Sequence, residues 1–351
     1  MSVIGVWNTA FLGDAVLTLP LIRTLKAAYP HSAIHFYVRR GLKGLFEAQP
    51  ELDAVYEYDK RGGENGLGAA VAMGRRLAAC NYSLWISAHS SVRSGIIARW
   101  TSARTRIGYN RPFINNWFYT HTVDRSFDRL DEIERLLQLV KPLGIEHMEH
   151  WPEMVLPHEA YAAAATFWRQ HVTRPVLGVH PGSVWGTKRW PAAGFAQVVR
   201  RAAEAGAQVL LFGGPGEEAM AREVLELSGV GDGMGGPGMV TDLSGQLSLP
   251  VLAAYLGRLN CYVTNDSGPM HIAWAQRTPV TAIFGPTVRA LGFFPRGNGS
   301  TVLEADVPCR PCGLHGPQTC PKGHFDCMKN VTPDRVWEDV QPKLFSPRQD
   351  I

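Results

Sequence analysis

No stretch of this sequence stays apolar for the roughly 20 residues that a bilayer span requires, because Asp, Asn, Gly or Arg interrupts every run first. A membrane-spanning helix is therefore not expected. Charge is scarce as well: a net charge of +4 with 19% charged residues is too weak for a dedicated nucleic-acid binder and fits a mild preference for anionic substrates or an anionic membrane surface. Low-complexity tracts are missing, and 45% apolar residues exclude a disordered or fibrous chain. Cysteine is sparse, with four of the six gathered between Cys309 and Cys327. The opening segment, Met1 to Pro20, lacks the basic start of a secretory leader and is broken by Asn8 and Asp14. It reads as a buried strand, loop and helix of a cytosolic protein.

At 351 residues the chain exceeds what one core usually supports, so two domains are expected. Apolar periodicity predicts strands at Val3–Trp7, Ala33–Val38, Ala54–Tyr58 and Leu84–Ser87, with helices at Ala15–Ala28 and Gly68–Ala79. After a proline-bounded, Ala-rich helix at Glu159–His171, a second series begins. It has strands at Val176–His180, Val209–Phe212, Cys261–Thr264 and Val280–Phe284, and helices at Phe195–Ala205, Glu217–Leu227, Leu249–Leu256 and Met270–Ala275. Strands alternating with helices imply an α/β fold with two doubly wound parallel sheets, whose ligands bind at the carboxyl ends of the strands, in the cleft between the domains. The expected boundaries are 1–155 for the first domain, 156–175 for a linker helix, 176–332 for the second domain and 333–351 for a C-terminal helix and tail.

Six segments could carry chemistry or contact a ligand. Asp14, in Phe11-Leu12-Gly13-Asp14-Ala15 after the first strand, either caps the next helix or faces the cleft as a proton acceptor. The loop from His180 to Pro191 offers Ser183, Thr187 and Lys188 to phosphate oxygens through hydroxyls, backbone N–H groups and a point charge, although the Walker order is absent. In Asn265-Asp266-Ser267-Gly268-Pro269-Met270-His271, a helix starts with a carboxylate, a hydroxyl and a glycine. Free N–H groups and the helix dipole there suit an anion such as a diphosphate, and His271 falls one turn inside. Glu217, after Gly213-Gly214-Pro215-Gly216, is placed for a ribose or for the helix dipole alone. Cys309, Cys312, Cys320 and Cys327 read either as a structural tetrahedral site for zinc or iron, or as reduced free thiols. Arg93, Arg99, Arg104, Arg106 and Arg111, with no acid among them and with Trp100, Tyr109, Phe113, Trp117 and Phe118 nearby, form either a solvated basic face or a contact for phosphorylated glycolipid.

On three of these segments the chain resembles glycosyltransferase family 9, the ADP-heptose:lipopolysaccharide heptosyltransferases, of the heptosyltransferase II type. They are Gly13-Asp14-Ala15-Val16-Leu17-Thr18-Leu19-Pro20, Pro181-Gly182-Ser183 through Lys188-Arg189-Trp190-Pro191, and Thr264 through Ala273 with Phe284-Gly285-Pro286-Thr287 behind. The resemblance implies a GT-B fold of two Rossmann-like domains, the first binding acceptor and the second the nucleotide sugar. It also implies an inverting transfer of heptose from ADP-heptose to a lipid A–Kdo or heptosylated core acceptor, without a catalytic metal, at the cytoplasmic face of the inner membrane. By resemblance Asp14 is the general base, and Ser183 and Lys188 are donor-phosphate ligands. Asp266, Ser267, Gly268 and His271 correspond to the donor-binding helix start, and Glu217 to the ribose contact. Arg39, Arg40, Lys43 and the Arg93–Arg111 stretch are acceptor candidates. Another nucleotide sugar or acceptor stays open. A nucleotide-sugar 2-epimerase shares the architecture, but its acid/base constellation is not seen here.

Overall fold

Central strands of a parallel sheet are covered on both faces and therefore read as unbroken apolar runs. Val176–His180, Cys261–Asn265 and Val280–Phe284 are buried at every position. The computed structural model describes residues 2–60, 62–63, 65–127, 129–231 and 240–347, and two parallel sheets emerge from them. The first joins Val3–Asn8 (β1), Ala33–Arg39 (β2), Ala54–Tyr58 (β3), Leu84–Ser87 (β4), Thr105–Tyr109 (β5) and His121–Val123 (β6) in the order β3-β2-β1-β4-β5-β6. The second joins Val176–His180 (β7), Gln208–Leu211 (β8), Val240–Asp242 (β9), Cys261–Asn265 (β10), Val280–Phe284 (β11) and Thr301–Glu304 (β12) in the order β12-β11-β10-β7-β8-β9. Each sheet reverses its strand order once, between β1 and β4 and between β7 and β10. A doubly wound sheet binds ligands at the carboxyl ends of the strands that flank this reversal.

The chain divides into two compact units, Met1–Pro157 and His158–Ile351. The helix expected as a linker spans His158–His171 and starts the second unit. There Phe167 and Trp168 pack on Tyr255, with ring centroids 5.0 and 5.2 Å apart. The tail expected after the last helix, Pro333–Phe345, lies beyond residue 347 and outside the described residues.

One element differs from its sequence pattern in a way that matters for the site. The helix expected from Ala15 to Ala28 is two helices, Leu12–Leu17 and Leu19–Ala28. Pro20 has no N–H to continue the ladder. Thr18 fills the break, its hydroxyl donating to the Asp14 carbonyl at 2.8 Å while accepting from Asn8 Nδ2 at 2.8 Å. Starting three residues early puts Asp14 inside the first turn.

β1 passes close under an aromatic cluster. A Cβ on Gly5 would stand 2.3 Å from Cε3 of Trp85, a fully buried ring wedged among Trp7, Tyr37 and Tyr82. Because the ring has nowhere to go, Gly5→Ala should lower stability by about 1–3 kcal/mol in a urea titration. A loss under about 0.5 kcal/mol, the range of an inert surface change, would show that the cluster yields.

Candidate functional site

The second unit's reversal point is built around one carboxylate. β7 ends at His180 and β10 at Asn265, and the two lie side by side, Thr264 being paired with His180. Asn265 is fully buried and fixes the loop after β7: its Nδ2 donates to the Pro181 carbonyl at 2.8 Å, and its Oδ1 accepts from the Trp190 N–H at 2.9 Å. With both ends of the loop tied, Lys188 projects onto Asp266, Nζ to Oδ2 2.6 Å, with both side chains under 10% exposed. Thr287, from the loop after β11, donates its hydroxyl to the same oxygen at 2.7 Å. Three neighbouring strand ends thus meet at Asp266 Oδ2.

Just beyond it, Ser267 takes the N-cap position of the helix Gly268–Ala275 in extended backbone, without a side-chain cap. Its hydroxyl faces Thr264 Oγ1 at 3.3 Å instead. The first-turn N–H groups are therefore left to an outside acceptor, and the helix dipole makes that acceptor an anion. His271 is buried one turn in, and burial pushes its pKa down to about 4. It is neutral at pH 7, with a buried Nδ1 that meets no partner among the described residues.

The other expected residues fall around this point with altered duties. Glu217 stands just before the helix Glu218–Ser228. Its Oε2 bonds His180 Nε2 at 2.9 Å and accepts from the Gly214 N–H at 2.7 Å. Burial works to raise its pKa, but these partners outweigh it and hold the carboxyl below the usual range. Ser183 is held through its backbone carbonyl, which accepts from Arg189 Nε at 2.8 Å, and not through its hydroxyl. Thr187 instead spends its hydroxyl proton on the Pro317 carbonyl at 2.5 Å.

That last contact belongs to a larger one that the sequence did not suggest: the Cys-rich loop braces the site. Gln318 clamps the backbone of the β7 loop, its Oε1 accepting from the Gly186 N–H and its Nε2 donating to the Val184 carbonyl, each at 3.1 Å. Glycine is required there, because a Cβ on Gly186 would lie 2.3 Å from the Gln318 carbonyl oxygen. Trp185 stacks on His315, centroids 6.0 Å apart and 7° from parallel. On the other side, Cys312 N–H donates to the Pro286 carbonyl at 2.8 Å and Arg310 Nη2 to the Thr287 carbonyl at 2.6 Å.

The thiols themselves do not close into a ligand shell. Among the described residues no group of three or more His, Cys, Asp or Glu is gathered to hold a metal ion, so the zinc or iron expected at Cys309, Cys312, Cys320 and Cys327 has no assembled site. Cys309 Sγ faces His324 Nε2 at 3.9 Å, and Cys312 Sγ turns to the Cys309 carbonyl at 3.5 Å. All four are free thiols. Burial raises the Cys327 thiol to about 11, with Arg310 opposing and the other three cysteines adding to the rise.

In the first unit the reversal point carries Asp14. Its Oδ2 accepts from the Phe11 N–H at 3.0 Å, capping the first turn. Burial pushes its pKa above the usual carboxylate value of 3.8, against that N–H and the charges of Arg125 and Lys60. Lys60 Nζ donates to the Thr9 carbonyl at 2.6 Å. Arg125 is held by Glu132, Nη2 to Oε1 2.6 Å, and Glu132 in turn by the fully buried Arg135 at 3.2 Å. His89, at the end of β4, is driven to a pKa of about 3 by burial and by the charges of Lys60, Arg125 and Arg93. None of Lys60, His89, Arg125 or Glu132 stands in a recognisable motif, and only their burial together reveals them. Of the acceptor candidates, Arg40 pairs with Asp59 at 2.8 Å and Lys43 with Glu47 at 3.1 Å.

A sequence model described as "Glycosyltransferase family 9 (heptosyltransferase)" matches residues 70–316. The lipooligosaccharide heptosyltransferase 2 of Campylobacter jejuni (strain 81116) is 24% identical over 339 residues, 96% of this chain and 97% of the relative. The glycosyl transferase family 9 crystal structure from Veillonella parvula superposes with a TM-score of 0.85 at 24% identity, covering 98% of this chain and 97% of its own. The structure of E. coli ADP-heptose lps heptosyltransferase II gives 0.77 at 21% identity, with 98% of each chain covered. These likenesses give the chain their fold.

The Lys188–Asp266 pair permits a direct measurement. Removing one member of a buried pair leaves an uncompensated charge, at about 3–5 kcal/mol, so Lys188→Met should shift urea unfolding by roughly that amount. Lys188→Met/Asp266→Leu should recover much of the loss. A double variant whose loss equals the sum of the losses of Lys188→Met and Asp266→Leu measured separately would mean that the two groups are not coupled.

Proposed function

The chain belongs to glycosyltransferase family 9, with its GT-B fold, and from that membership we propose that it transfers heptose from ADP-heptose to the inner core of lipopolysaccharide. The observation that supports this reading best is the second unit's reversal point, where Lys188 and the uncapped start of Gly268–Ala275 share one small constellation. Two of the relatives named above, from Campylobacter jejuni and E. coli, are heptosyltransferases, the second an ADP-heptose enzyme. The leaving group of such a donor is a nucleoside diphosphate, which needs what that constellation offers: backbone N–H groups, a dipole and an ammonium.

In this mechanism an acceptor hydroxyl attacks the anomeric carbon of heptose while Asp14 takes its proton, and the bond to ADP breaks with inversion. Lys188 has three N–H donors, of which Asp266 engages one. The others and the helix start meet the charge that develops on the diphosphate. Asp266 is therefore a holder of Lys188 more than a donor ligand itself. Glu217, fixed by His180, keeps its second oxygen against Gly182, a position suited to a ribose hydroxyl. The reaction needs no metal step, and none is assigned to the thiols. The acceptor being a lipid, the enzyme works at the cytoplasmic face of the inner membrane. No helix among the described residues is long and apolar enough to cross it.

A donor panel assayed against a lipid A–Kdo acceptor, with release of the nucleoside diphosphate as readout, tests the reading. Release from ADP-heptose alone is the expected result, and turnover only with another nucleotide sugar would overturn the heptose assignment while leaving the fold untouched. Asp14→Asn should cost about 10²–10⁴ in kcat without unfolding the protein. The base works ionised and burial raises its pKa, so kcat/KM of the parent should fall with decreasing pH through an acid limb above 3.8. A limb at or below that value would contradict the assignment.

A further inference from the structure

A surface turn normally hides its apolar side chains and shows its polar ones. The 3₁₀ turn Phe113–Trp117 does the reverse. Its inward residue is Asn115, fully buried and donating to the Tyr109 and Arg111 carbonyls at 3.2 and 3.1 Å. Its large apolar side chains point outward: Phe113 is 64% exposed, Ile114 50% and Trp117 84%. The polar anchor makes this a built presentation of apolar surface and not a frayed loop.

Up to the exposed Asp124, whose carboxylate meets Asn110, the charge along the segment that carries it has one sign. From Asn65 to Val123 the sequence holds seven arginines and neither Asp nor Glu. Arg111 lies over the Phe113 ring at 3.7 Å. Arg106 Nε donates to the Phe118 carbonyl at 3.0 Å, and the exposed Arg99 stands close enough to add its like charge to the burial that depresses the Arg106 pKa. A second copy of this chain docked through the same patch would set arginine against arginine. An anionic bilayer offers the opposite: phosphates for the guanidinium groups and an interface in which tryptophan partitions well.

We propose that the turn Phe113–Trp117 and the arginines beside it dock the protein on an anionic lipid bilayer. The proposal deepens the reading of a lipid-borne acceptor and rests on it for its purpose. Position supports it as well. The turn follows the carboxyl end of β5 and Asp14 follows that of β1, with β4 alone between these strands in the sheet. A bilayer held by Phe113 and Ile114 is thus brought to the sheet edge at which Asp14 would deprotonate an acceptor.

The test is co-sedimentation of the full chain with phosphatidylcholine vesicles, with and without phosphatidylglycerol. Binding should require phosphatidylglycerol and weaken with salt. Phe113→Ser/Ile114→Ser/Trp117→Ser should weaken it by roughly 30-fold or more, and Arg99→Gln and Arg111→Gln by about fivefold each. Brominated phospholipid in the same vesicles should quench tryptophan fluorescence of the parent, and quenching should drop in Trp117→Phe, a change that keeps an apolar ring. Undiminished binding of the triple variant, or parent binding indifferent to phosphatidylglycerol, would overturn the proposal. So would a parent dimer that the triple variant dissociates without any vesicle binding. Transfer to a deacylated, water-soluble acceptor separates the two readings. Transfer without vesicle binding sinks the docking surface alone, and vesicle binding without transfer leaves docking standing while the heptose reading falls.

Discussion

The contact between Lys188 and Asp266 organises the second unit's site. An ion pair with both partners nearly buried is weak evidence for stability, because desolvation offsets much of the attraction. Its value lies in geometry. Asp266 Oδ2 takes the Lys188 ammonium from the β7 loop and the Thr287 hydroxyl from the β11 loop, so one atom sets the spacing of three loops that share no sequence neighbourhood. Since Asp266 immediately precedes Ser267, the same contact fixes where the helix dipole of Gly268–Ala275 points. A capping serine would satisfy one of the first-turn N–H groups. Ser267 does not, and the helix start keeps its capacity for an anion.

The two reversal points share a topology and differ in electrostatics. In the second unit, charges are neutralised pairwise and the one histidine beside the helix start is held neutral by burial. In the first, a carboxylate sits where burial alone would discharge it, and Arg125 and Lys60 oppose that. Burial also works against the Arg125 charge, but Glu132, clamped by Arg135, keeps the guanidinium pKa raised. The chain Arg135–Glu132–Arg125 is thus a rigid source of positive potential near Asp14. A carboxylate meant to accept a proton near neutral pH needs such a balance, because full pairing would make it too weak a base and unopposed burial would keep it protonated.

Much of this was legible in the sequence, and the remainder failed for identifiable reasons. Val176–His180, Leu84–Ser87, Ala54–Tyr58 and Val280–Phe284 were readable residue for residue, since buried parallel strands are short apolar runs between turn residues. Thr105–Tyr109 and His121–Val123 were not, because arginines and an exposed edge dilute the apolar signal. The motif residues after β7 and β10 were legible as loop residues following strands. Their partners were not: Lys188 and Asp266 are 78 positions apart, and Gly186 meets Gln318 across 132, separations at which no local pattern operates. The four cysteines drew attention to their loop through a spacing that suggested ligands. The contacts that hold the loops after β7 and β11 are made by Pro317, Gln318 and Arg310, which carry no motif.

Asp14 shows why a structural and a chemical reading of one residue need not compete. As a cap it uses Oδ2 to receive the Phe11 N–H, and that bond fixes the carboxylate's orientation at the end of β1. A carboxylate has two oxygens, and a proton acceptor needs a fixed direction as much as a suitable pKa. The start of the helix at Leu12 lodges Asp14 in its first turn, where the dipole favours its negative charge. Had the helix begun at Ala15, as its apolar spacing suggests, the side chain would stand outside that turn without the Phe11 tether. The cap is the means by which the sequence aims the carboxylate proposed as the base.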